Sequence, residues 1–109
     1  MTKPFRAVPG STTRLTAATA AGASPKLAGL AEGGGCQVRI RNRGSVDVAI
    51  EFGNKPTVQA NVPAAGTPGS QGFAPGAVEF QTLQDDQRFV SIAVASGTPD
   101  VEITCGTGG

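Results

Sequence analysis

The stretch from Cys36 to Gly53, CQVRIRNRGSVDVAIEFG, constrains this chain more than any other. Cys36, Val38 and Ile40 alternate with Gln37, Arg39 and Arg41, so one face is apolar and the other basic, the period-two pattern of a half-buried strand. Asn42, Arg43, Gly44 and Ser45 read as a turn. Beyond it Val46, Val48, Ile50 and Phe52 alternate with Asp47, Ala49 and Glu51, and the β-branched content favours strand over helix. The stretch therefore predicts a β-hairpin. Arg39 and Arg41 are expected across from Asp47 and Glu51 on the solvent side, where such pairs typically contribute a few tenths of a kcal/mol.

At 109 residues the chain suits one domain with a modest core. Sixteen glycines and eight prolines, with five phenylalanines and no Trp, Tyr or His, favour short strands joined by tight turns over packed helices. The formal net charge of +1 demands neither nucleic acid nor an anionic membrane as partner. The opening MTKPFRAVPG places charge and proline where a secretory signal would be apolar, and no stretch approaches a membrane span. The expectation is a soluble, unexported product. Cys36 and Cys105 fall in phase with apolar faces and are expected to be buried. They are positioned to bond if their strands are neighbours, but in a cytoplasmic product reduced thiols acting as small hydrophobes are favoured.

Taken in order, residues 1–10 read as an extended arm carrying Phe5 and Arg6, and residues 11–35 as a weak strand (Leu15, Ala17, Thr19 inward) followed by a flexible connection ending in Gly33 to Gly35. Residues 36–109 form the predicted sandwich core. Thr57 to Val62 reads as a strand with Val58, Ala60 and Val62 on one face. Ala64 to Gly76 reads as a long surface loop with a short edge segment at Gln71 to Phe73. Pro75-Gly76 turns into Ala77 to Leu83, with Val78 and Phe80 expected inward. Asp85-Asp86 forms a further turn. Arg88 to Ala95 and Asp100 to Cys105 read as a second hairpin in which Phe89 is out of phase, at a bulge or an intersubunit contact. The tail from Gly106 is expected to be exposed. The count is seven or eight short antiparallel strands, which suits a small all-β sandwich or jelly roll.

Chemistry is sparse. Without histidine there is no Ser-His-Asp or Cys-His arrangement, and two cysteines do not make a structural zinc site. Asp85-Asp86 reads as a solvated corner before it reads as a cation site. Gly33 to Gly35 lacks the Lys-Ser/Thr of a phosphate loop and precedes a strand instead of a helix. No enzyme, cofactor or metal is expected. Arg39, Arg41 and Arg43 are the best basic cluster, yet nucleic acid is disfavoured by the acidic partners expected from Asp47 and Glu51, by the lack of a stacking aromatic on that face, and by the near-neutral charge. An acidic protein surface fits better. A domain this poor in large apolar residues also gains from burying its arm or an edge strand against another chain.

Val38-Arg39-Ile40-Arg41-Asn42, then Gly44 and Val48 to Gly53, with Pro75-Gly76-Ala77-Val78-Glu79, Ile92 to Thr98 and the glycine-rich end, resemble a pattern found in short virion proteins of tailed bacteriophages. Among these the chain is most similar to the cement, or decoration, proteins of podovirus capsids, over roughly residues 36 to 109. The resemblance implies a small jelly roll on the capsid exterior, commonly a dimer, which bridges neighbouring major capsid protein subunits and braces the shell. Phe5, Arg6, Arg39, Arg41, Arg43 and Phe89 are then the candidate interface residues. Two other classes compete: a tail, neck or head-fibre component, and a carbohydrate-binding module, the latter disfavoured by the lack of Trp and Tyr.

Overall fold

The computed structural model describes residues 5–27, 36–84 and 87–107. They form seven antiparallel strands in two sheets: β1 (Arg6–Leu15), β2 (Cys36–Asn42), β3 (Val48–Gly53), β4 (Gln71–Phe73), β5 (Val78–Leu83), β6 (Phe89–Ala93) and β7 (Val101–Thr107). The four-stranded sheet runs β1-β7-β2-β5 and the three-stranded sheet β4-β3-β6. The expected all-β sandwich is what forms, and its strand order is that of a jelly roll in which irregular chain takes one of the eight strand positions. That chain is residues 19–27, which lie along β6. Thr19 N–H donates to the Ile92 carbonyl, Leu27 N–H to that of Arg88, and Val90 N–H to that of Pro25.

Two connections differ from expectation. Neither Cys36–Gly53 nor Arg88–Cys105 is a hairpin, because β2 and β7 lie in one sheet and β3 and β6 in the other. β2 pairs with β7 and β5, while β3 pairs with β6 and β4. Each supposed turn is instead an arch carrying the chain from sheet to sheet. Asn42 shapes the first. Fully buried, its side-chain amide donates to the carbonyls of Val46 and Phe73, both at 2.9 Å, while its Oδ1 accepts from Gly44 N–H. Three hydrogen bonds satisfy a polar group that burial would otherwise penalise.

The core fills the space between the sheets. Val38, Ile40, Val101, Ile103 and Cys105 enter from the four-stranded sheet; Val48, Ile50, Phe52, Val90 and Ile92 enter from the other. Phe73 and Leu83 close two sides, and Leu27, unmarked in the sequence reading, plugs the gap beside β6. Each such large side chain contributes roughly 1.5–3 kcal/mol by leaving water. Cys105 is buried as expected; the side chain of Cys36 lies outside the described residues, as do Gly33 to Gly35 and Asp85-Asp86.

Other boundaries shift. Arg6 to Gly10, expected in the arm, belong to β1, so the sandwich takes in residues ahead of position 36; Met1 to Pro4 lie outside the description. The strand breaks register between Ala7 and Thr12, around Gly10 at φ +74°, and ends at Leu15, leaving Ala17 exposed and Thr19 in irregular chain. Gly106 and Thr107 are not a loose tail but pair with Ala7 and Arg6. Thr57 to Val62 is not a strand. It crosses the outside of the three-stranded sheet, where Ala60 is buried and its N–H donates to Ser91 Oγ. Small residues below permit this close passage: a Cβ on Gly53 would stand 2.7 Å from the Val58 side chain. The edge segment Gln71 to Phe73 and the turn at Pro75-Gly76 form as expected.

Candidate protein-interaction face

The three-stranded sheet is covered outside by the crossing at Ala60; among the described residues, the outer face of the four-stranded sheet is exposed at Arg41, Val78 and Phe80, while Thr104 and Gly106 on it are buried. Antiparallel partners share a face, so the register builds this surface directly. One rung reads Arg14, Glu102, Arg41, Val78 across β1, β7, β2 and β5; the next reads Thr12, Thr104, Arg39, Phe80; the third reads Ala7, Gly106, Gln37, Thr82.

Phe80 and Val78 therefore lie outside with the arginines and are 53% and 51% exposed, reversing the expected orientation of β5. The reason is at the far end of the strand. Leu83, in phase with Glu79 and Gln81, pairs opposite Cys36 and is buried in the core, which fixes the phase of the whole segment. Phe5 lies over Gly106, with a ring centroid 5.2 Å from that of Phe80 in an edge-to-face arrangement. The face thus carries two aromatic rings where the sequence suggested none.

Arg14, Arg41 and Arg43 pair with Asp100 and Glu102 and not with the carboxylates expected. Asp47 and Glu51 belong to the arch and to the other sheet, and Glu51 accepts instead from Ser70 Oγ. Arg43 Nη1 donates to Glu102 Oε2 at 3.0 Å, with its Nε 3.5 Å from Asp100; Arg41 lies 3.7 Å from Glu102. Arg14 makes a two-pronged contact with Asp100. That hydrogen bonding holds the Asp100 carboxyl below the ordinary aspartate range and raises the Arg14 guanidinium above its own. Four arginines against two carboxylates leave the face basic. Arg39, Arg41, Arg43 and Val78 also line a shallow groove floored by Asn42 and Gly76.

Of the expected interface residues, the structure brings Phe5, Arg39, Arg41 and Arg43 onto or beside this face, with Arg6 exposed on β1 at its margin. Phe89 is not among them. It is half-buried on β6, in the other sheet, bridged to Lys26. Sequence reasoning missed Val78, Phe80, Arg14, Asp100 and Glu102, which only the register of β1, β7 and β5 places together. Comparison with protein-family models, with curated proteins and with solved structures gives no match.

Proposed function

We propose that this chain is a structural virion protein that binds the outside of a phage capsid and cements neighbouring major capsid protein subunits. The sequence resemblance to podovirus cement proteins motivates the reading. The observation that carries it structurally is the outer face of the four-stranded sheet, where exposed Phe80 and Val78 sit beside Arg39, Arg41 and Arg43. Exposed aromatic and arginine side chains side by side on one sheet face are the composition of a protein contact, and the basic excess suits an acidic partner surface. Phe5, held on this face by Phe80, adds to the contact.

Quantitative protein analysis of purified particles from the lysate in which the chain is made tests the reading. Hundreds of copies per particle, spread over the head, are expected. About a dozen copies confined to the portal or tail would replace it with a neck or tail role, and no association with particles would reject a virion role altogether.

A further inference from the structure

Two open sheets have four edges, each a row of unpaired backbone groups that natural proteins blunt or cover. Three are blunted here. β1 is interrupted around Pro9 and Gly10, β4 is three residues long, and β6 is lined by residues 19–27. β5 differs. It runs six residues without proline, glycine or lysine, is hydrogen-bonded to β2 alone among the named strands, and exposes Val78 and Phe80.

The direction of its backbone groups follows from one bond. Asn42 N–H donates to the Ala77 carbonyl at 2.9 Å, and bonding alternates residue by residue along an antiparallel ladder. Glu79 and Gln81 therefore point their backbone groups at β2. Val78, Phe80 and Thr82 point theirs away from it.

We propose that this edge pairs antiparallel with the same edge of a second copy, about a two-fold axis through Phe80. Residues directly opposite in such a pair share a face and, where both turn outward, exchange N–H···O bonds. With Phe80 on the axis, Phe80 bonds Phe80 of the second copy and Val78 bonds Thr82 in both directions, so every outward group of the strand is used. Between them Glu79 stands opposite Gln81, a carboxylate against an amide donor. Shifting the axis to Glu79 sets two carboxylates against each other, and shifting it to Gln81 strands Val78 beyond the end of its partner. The strand is thus self-complementary in one register, as a closed two-fold contact requires. The product is a continuous eight-stranded sheet that doubles the arginine and aromatic face.

This deepens the dimer implied by the cement reading, but its test uses the isolated full chain, so its failure and that of the particle assay are separate results. Sedimentation equilibrium at micromolar concentration should give a dimer. Thr82→Pro deletes an outward N–H and spares the β2 ladder, and should give a monomer with an unchanged circular dichroism spectrum. Under mild oxidation Phe80→Cys should yield a disulfide joining position 80 to itself, located by peptide mapping. Val78→Cys should not, because its two copies stand about 13 Å apart in this register. A monomeric parent chain, a folded Thr82→Pro dimer, or cross-linking through Val78→Cys in preference to Phe80→Cys would overturn the proposal. If Thr82→Pro does not fold, the cross-linking pair decides alone.

Discussion

Arg14 and Asp100 meet as a two-pronged ion pair, Nε to Oδ1 and Nη2 to Oδ2, both at 2.9 Å. The pair ties the edge strand β1 to the connection between β6 and β7, across 86 residues of chain. Because the bond depresses the Asp100 carboxyl in the folded state, its contribution is complete above the ordinary aspartate value of 3.8 and is lost as pH falls through the lower folded value. Acid should therefore loosen β1 before it melts the core. Amide exchange followed down the pH scale should show Thr12 to Leu15 losing protection early, and Asp100→Asn should abolish that pH dependence. Uniform loss of protection across both sheets would contradict it.

Asn42 should be the least replaceable polar residue of the arch. Asn42→Ala takes the side-chain donor from the buried Phe73 carbonyl and the part-buried Val46 carbonyl and should cost about 2–3 kcal/mol, read from the denaturation midpoint. Asn42→Asp keeps the shape but sets a carboxylate against both carbonyls, and should cost at least as much at neutral pH.

Gly106 lies directly beneath the N-terminal segment. A Cβ there would stand 2.5 Å from the Arg6 carbonyl and 2.6 Å from the Phe5 ring. Gly106→Ala should displace Phe5 from Phe80 and destabilise the fold by about 1–3 kcal/mol, the range for overpacking. Loss of ring-current shifts between the two phenylalanines in proton spectra would report it.

Much of the fold is visible in the sequence, for a physical reason. The alternation in β2, β6 and β7 comes from one apolar face each turned to the core, so strand positions and core residues such as Val38, Ile40, Val90 and Ile103 follow from period alone. Whether two neighbouring strands pair or part does not, since a hairpin and an arch share turn residues and alternation. The hints are polar. Asn42 falls in phase with Val38 and Ile40, an inward position that only a dedicated hydrogen-bonded corner tolerates. β5 failed for a similar reason: Val78 and Phe80 outweigh Leu83 in bulk, but Leu83 sits nearer the core. The interaction face was half legible, because its arginines lie on one strand whereas Phe80, Asp100 and Glu102 arrive from others through register.

The exposed residues should separate binding from stability. Phe80→Ser loses the edge-to-face contact with Phe5 and Arg41→Glu the contact with Glu102; each should cost about 0.5–1.5 kcal/mol and leave the chain folded. Both should lower occupancy on particles, and the charge reversal should make residual binding less sensitive to salt. Phe89→Ala, on the other sheet, should leave occupancy of the folded protein unchanged.

The most direct measurement is electron cryomicroscopy of particles carrying the chain, at a resolution that orients the sandwich. Density is expected over the capsid exterior, with the four-stranded sheet turned toward the shell and Phe5, Phe80 and Arg41 in the contact. Density on the head with the Ala60 side toward the shell, or density confined to the tail, would contradict it.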